Sequence, residues 1–146
     1  MFWSVPLPPD PLCPAVAASL PTDPGSGDRC ERPWGWYETL ATGEGYLVKR
    51  LWIAPGRRIS LQRHHHRSEH WVIVGGGGTV EIDGREQPVQ PGDALLVPLG
   101  SVHRASAAGD GLAIVEVQRG EQLREDDIER LADDYGRLAP ELPLRG

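Results

Sequence analysis

The sequence is short of cysteine and of positive charge, and it has no long apolar run. Its two cysteines, Cys13 and Cys30, lie outside any Cys-x-x-Cys or mixed Cys/His spacing, which excludes a thiolate zinc site and a thioredoxin-like motif. Both fall in a proline-rich stretch and read as free thiols in a reducing compartment. Lys and Arg number 15 against 21 Asp and Glu, a net charge of −6. That balance excludes the basic footprint of a nucleic-acid-binding domain. Residues 1–9 hold no Lys or Arg, and Pro6, Pro8, Pro9, Pro11 and Pro14 interrupt the apolar stretch, so no secretory signal is expected. The uncharged run 11–22 is too short and too broken to cross a bilayer. The expected location is the cytoplasm, with neither nucleic acid nor membrane as partner. A phosphate loop is lacking too, since Gly75-Gly76-Gly77-Gly78 runs into Thr79 without the required Lys and reads as a turn between strands.

Turn formers, in contrast, are abundant, with 18 Gly and 14 Pro in 146 residues. Eight of the prolines precede Trp34, and Asp23-Pro24-Gly25-Ser26-Gly27-Asp28 has linker composition. Residues 1–33 therefore read as a proline-rich arm and 34–146 as one folded domain. Short runs rich in aromatic and β-branched residues follow at 34–40, 46–53, 59–64, 69–74, 79–82, 85–90, 94–98, 103–107 and 112–118. Asp83-Gly84 is a two-residue hairpin signal, and Pro91-Gly92-Asp93 and Ala108-Gly109-Asp110-Gly111 supply further turns. About nine short strands without crossover helices imply an all-β class, a small antiparallel barrel or jelly roll. One C-terminal helix is expected, because Ile128, Leu131, Ala132 and Tyr135 recur at helical spacing behind Glu125-Asp126-Asp127 and ahead of Gly136.

Four of the five histidines lie in Gln62-Arg63-His64-His65-His66-Arg67-Ser68-Glu69-His70-Trp71, and the fifth is His103. In a strand Gln62 and His64 share a face. A turn over 65–68 would return Glu69 on the next strand, and His103 would join from a later one. Two imidazoles, a carboxylate and an amide oxygen make a mixed N/O set for one divalent ion. Zinc comes first among the ions, with cobalt, manganese, iron or nickel as alternatives.

The spacing Gly56-x5-Gln62-x-His64-x4-Glu69-x6-Gly76, followed 15 residues later by Gly92-x5-Pro98-x-Gly100-x2-His103, resembles the two signatures of the cupin superfamily. More specifically, the chain is similar to the C-terminal cupin domain of type II mannose-6-phosphate isomerases, which often follows a mannose-1-phosphate guanylyltransferase domain. The likeness rests on Arg32-Pro33-Trp34-Gly35, the run from Leu61 to Trp71, Glu116-Val117-Gln118, Glu125-Asp126-Asp127-Ile128 and Tyr135-Gly136-Arg137. It implies a cupin barrel and a metal-dependent interconversion of mannose 6-phosphate and fructose 6-phosphate through a cis-enediol. The arm is too short for a nucleotidyltransferase domain, so guanylyltransferase activity is not expected of these residues.

For that reaction a general base must reach the C1 and C2 protons. His66 is the first candidate, because regular alternation would place it with Gln62 and His64; Lys49, Glu116 and His70 follow. A phosphate dianion calls for a bidentate arginine, and Arg67, inside the motif, is the expected binder and a catalytic candidate, with Lys49 a second substrate-binding residue. Two other readings stay open on the residues alone: a non-catalytic sugar-phosphate-binding cupin module and a cupin dioxygenase, the latter disfavoured by Gln62 in the first ligand position. Uncovered sheet edges point to a homodimer.

Overall fold

The structure, a computed structural model, describes residues 29–138, so most of the proline-rich arm, with Cys13, lies outside the described residues. Among the described residues every regular element is a strand: β1 (Cys30–Arg32), β2 (Gly35–Gly43), β3 (Tyr46–Ile53), β4 (Leu61–Arg63), β5 (Ser68–Ile82), β6 (Arg85–Val89), β7 (Ala94–Val97), β8 (His103–Arg119) and β9 (Glu129–Ala132). All pairings are antiparallel. The two long strands β5 and β8 run together from Ser68 opposite Arg119 to Ile82 opposite His103. β8 also pairs with β3 through its second half and meets β4 at Gln62 opposite His103. β5 carries β6 and β7 on its other edge. Each long strand thus serves two parts of one sheet, which curls into the expected barrel. No helix among the described residues is long and apolar enough to cross a membrane.

Alternation decides what faces inward. On β3 the inward row is Leu47, Lys49, Leu51 and Ile53; on β5 it is Glu69, Trp71 and Ile73; on β8 it is Leu112, Ile114, Glu116 and Gln118. Register aligns these rows, with Leu51 opposite Ile114, Lys49 opposite Glu116, and Glu69 opposite Gln118. Ile53, Ile73, Leu112 and Ile114 fill one end of the barrel, each burial contributing about 1.5–3 kcal/mol. Toward the other end the lining gains polar and charged groups, Lys49 on β3, Glu69 on β5 and Glu116 and Gln118 on β8, and the candidate site occupies that end.

Three expectations are corrected. Gly75-Gly76-Gly77-Gly78 is not a turn between two strands, and neither is 108–111: β5 and β8 run through both as continuous strands. Pairing survives because β5 bulges at Ile73/Gly75 and Gly76/Gly78. A Cβ on Gly76 would lie 1.9 Å from the Gly111 carbonyl oxygen, and one on Gly78 would lie 1.9 Å from that of Ser106. Second, the expected C-terminal helix is absent. Residues from Glu129 form β9 against β4, Leu131 is exposed, and several polar groups of the segment bond to distant residues: Asp127 to His65 and His66, Glu129 to Arg63, and the Tyr135 hydroxyl to Arg58. Third, Cys30 is buried and disulfide-bonded, not a free thiol. Whether a thiol is paired depends on what the fold brings to it, which sequence spacing does not encode.

Candidate functional site

At the polar end of the barrel, β4 lies between β8 and β9, which sets Gln62 opposite both His103 and Arg130. His64 follows just beyond β4, and the turn after it delivers Glu69 on β5. His64, Glu69 and His103 are buried, and one ligand atom from each lies within 4.8 Å of the others. The outer ring nitrogens are spoken for. His64 Nδ1 donates to the Asp127 carbonyl at 2.6 Å and His103 Nδ1 to the Ser101 carbonyl at 2.9 Å. Since a carbonyl only accepts, each neutral ring keeps its Nε2 lone pair for the cavity.

Those lone pairs fit a cation. His103 Nε2 is fully buried with no hydrogen-bond partner, 3.9 Å from Glu69 Oε2. Such an orphaned acceptor costs about 1–3 kcal/mol unless something coordinates it. His64 Nε2 lies 3.0 Å from Glu69 Oε1. With the Nδ1 proton given to Asp127, these are two acceptors face to face, and only a second proton or a shared cation reconciles them. Trp71 Nε1 donates to Glu69 Oε2 at 2.8 Å and fixes the carboxylate. The Gln62 amide approaches His64 Nε2 at 3.3 Å through its nitrogen, while its oxygen accepts from Ser60 Oγ at 2.6 Å; a half-turn of the amide would present the oxygen instead. This donor set could hold a divalent first-row ion.

Around the triad, charge is concentrated. Arg67 is buried and donates through Nε to Glu69 Oε1 at 2.9 Å and through Nη1 to the Arg124 carbonyl at 3.1 Å, with Nη2 3.3 Å from His64 Nε2. Burial acts to raise the Glu69 carboxyl, but the contact with His64 and the charge of Arg67 outweigh it and hold the group well below the usual carboxylate range. Lys49 pairs with Glu125 and sits 4.1 Å over the Tyr37 ring. Glu116 accepts from Gln118 Nε2 at 2.5 Å. Burial, then the neighbouring charge of Glu69, pushes its carboxyl up to about 7 against the opposing pull of Arg67 and Lys49.

The fold therefore brings together Gln62, His64, Arg67, Glu69 and His103, and of these Gln62, Arg67 and Glu69 line a cavity with Lys49 and Glu116. It does not bring His66 there. β4 ends at Arg63, alternation stops with it, and the His66 side chain is exposed while its main-chain N–H donates to Asp127 Oδ2 at 3.0 Å. His70 points outward from β5. Sequence reasoning missed Gln118, Asp127, Arg130 and Arg137. Asp127 and Arg130 lie in the stretch read as a helix and Arg137 just past its expected end, and Asp127 and Arg137 entered the sequence reading only as part of the family likeness.

A family model described as mannose-6-phosphate isomerase C-terminal matches residues 26–133. Alginate biosynthesis protein AlgA of Pseudomonas aeruginosa is 45% identical over 115 residues, which are 77% of this chain and 24% of that protein. Mannose-1-phosphate guanylyltransferase of Escherichia coli K12 is 44% identical over 108 residues, 73% of this chain and 23% of that protein. The chain thus spans about a quarter of the length of these curated relatives. An RmlC-like cupin from Shewanella frigidimarina superposes with a TM-score of 0.64 at 20% identity, covering 72% of this chain and 92% of that one, a likeness that speaks for the fold alone.

Proposed function

This chain belongs to the family of mannose-6-phosphate isomerase C-terminal domains, which are cupins, and from that premise we propose that it is a metal-dependent isomerase interconverting mannose 6-phosphate and fructose 6-phosphate. The observation that carries the reading is the unpartnered His103 Nε2, buried beside His64 and Glu69, the last of which lines a cavity together with Glu116.

Moving a proton between C1 and C2 next to a carbonyl needs two things: charge stabilisation at O1 and O2, and a base of matched strength. A divalent ion held by His64, Glu69 and His103, with the Gln62 amide oxygen as fourth donor, would supply the first by Lewis acidity, worth several kcal/mol. Glu116 supplies the second. Burial raises its carboxyl above the ordinary carboxylate range, so it can take the C2 proton of the aldose and return it at C1, while the O2 hydroxyl proton passes to O1 in the cis-enediol. Lys49, facing Glu116 across the β3–β8 ladder, keeps a positive charge beside that carboxylate as it forms. Arg67 keeps Glu69 ionised and oriented toward the two histidines. Trp71 and Ile59 give the cavity apolar walls that limit water around the enediol.

The test is a coupled assay for fructose 6-phosphate on metal-stripped protein with Zn²⁺, Co²⁺, Mn²⁺, Fe²⁺ or Ni²⁺ restored singly. A metal-restored rate that disappears in His64→Ala and Glu69→Ala is expected. No turnover with any ion, in protein shown to bind one, would overturn the isomerase reading, and oxygen uptake and sugar-phosphate binding would then decide between a dioxygenase and a binding module.

A further inference from the structure

The cavity that Gln62 and Glu69 line beside the two histidines is cationic within an acidic chain. Arg32, Lys49, Arg67, Arg130 and Arg137 line it, against the carboxylates Glu69, Glu116 and Glu125. Arg67 is committed to Glu69, Lys49 to Glu125, and Arg32 to the Glu31 carbonyl and the Tyr37 ring among its contacts. Arg137 holds Asp133, with Nη2 2.9 Å from its Oδ1. Arg130 differs. Arg58, Arg63, Arg67, Arg124 and Arg137 each grip a carboxylate, whereas Arg130 grips none among the described residues, and its Nε is buried without a hydrogen-bond partner.

We propose that Arg130, backed by Arg137 and Arg32, is the phosphate-binding subsite of this cavity, the role that the sequence alone assigned to Arg67. The proposal rests on the isomerase reading for the identity of its ligand, a hexose 6-phosphate. Burial and the charges of Arg137 and Arg32 all work against the Arg130 cation, and Asp133 offsets them only in part. A dianion between these arginines relieves both penalties, and a guanidinium fork matches phosphate geometry. Position agrees with length. His103, Gln62 and Arg130 lie side by side on three successive strands, so the Arg130 backbone stands two strand spacings, about 10 Å, from that of His103. An open-chain hexose with C1 and C2 at the triad reaches its 6-phosphate over a comparable span. Arg67, in contrast, already spends its Nε on Glu69 and its Nη1 on a carbonyl, which leaves no free fork.

The experiment compares the full chain with Arg130→Gln and Arg130→Lys, each metal-loaded, by calorimetric titration with inorganic phosphate and by KM and kcat for mannose 6-phosphate. Loss of charge-assisted bonds should weaken phosphate binding and raise KM by at least about tenfold in Arg130→Gln, with kcat held within about threefold. Arg130→Lys should fall between, since it keeps the charge and loses the fork, and it carries the comparison alone if Arg130→Gln does not fold. Unchanged phosphate affinity and KM in these variants would overturn the subsite while leaving isomerase activity intact. Phosphate binding lost in Arg130→Gln, in a protein that turns over no mannose 6-phosphate, would support the subsite and remove the isomerase.

Discussion

Asp127 holds His64 from behind: its carbonyl accepts the Nδ1 proton at 2.6 Å, while its carboxylate accepts the main-chain N–H groups of His65 at 2.9 Å and His66 at 3.0 Å. One buried residue thus fixes both the ring that faces Glu69 and the turn that carries it. Asp127→Ala leaves two donors unsatisfied and frees the turn. We expect a stability loss of about 1–3 kcal/mol and metal affinity lower by about 10–100-fold. Thermal melts and titration against a competing chelator measure both, and unchanged affinity would show that the clasp does not orient His64.

That clasp also shows where sequence reading stops. Strands were legible because alternation is local: Leu47, Leu51 and Ile53 announce an inward row on β3, and Asp83-Gly84 forms its hairpin with both residues at positive φ. The clustering of Gln62, His64 and Glu69 was legible because one short turn joins them. Glu125, Asp127 and Arg130 were not, since their partners Lys49, His65 and Gln62 are distant in sequence and a helical period in four apolar residues competes with them. Tertiary pairing outweighed that weak period, as it does wherever a segment has more to bond to than itself. His66 was misplaced for a different reason, because alternation was extended past the residue where β4 ends.

Glu116 carries opposite consequences for stability and activity. Its carboxyl is raised to about 7 from an ordinary 4.5, so between those values the folded chain keeps a proton that the unfolded chain has released. Stability then falls as pH rises through this window, by up to roughly 3 kcal/mol from this group. Glu116→Gln should remove the fall, so that the metal-free variant gains on the wild type at pH 8 but not at pH 5 in urea titrations. The same change should lower kcat by about 100-fold or more. His66→Ala, at an exposed site, should keep kcat within about threefold. A variant Glu116→Gln with full activity would remove Glu116 as the base.

The orphaned His103 Nε2 predicts a metal-dependent melting temperature. A ligand at about 100 times its Kd adds about 2.7 kcal/mol, several degrees in a domain of this size. Stripping with chelator should lower the midpoint and added Zn²⁺ should restore it. His103→Ala should melt at one temperature with or without the ion. A wild type insensitive to every ion tried would leave the triad a buried polar cluster and nothing more.

The bend in β5 is testable without reference to activity. Gly78 and Gly109 both lie in long strands, yet their surroundings differ completely. A Cβ on Gly78 would stand 1.9 Å from the Ser106 carbonyl oxygen, an atom of the strand it pairs with, whereas a Cβ on Gly109 meets nothing within 4 Å. Neither residue has a positive φ, so the contrast is steric and not conformational. Relief at Gly78 requires separating β5 from β8 where their ladder holds the barrel together, a cost of about 3 kcal/mol or more. Gly109→Ala removes only freedom from the unfolded chain, which favours the fold by about 0.4–1 kcal/mol. Urea unfolding of the two variants should therefore move the midpoint in opposite directions. Displacing β5 also moves Glu69, which sits on the same strand, so Gly78→Ala should lose metal affinity together with stability, while Gly109→Ala should keep it. Equal behaviour of the two variants would mean that β5 does not bend tightly against β8 at Gly78.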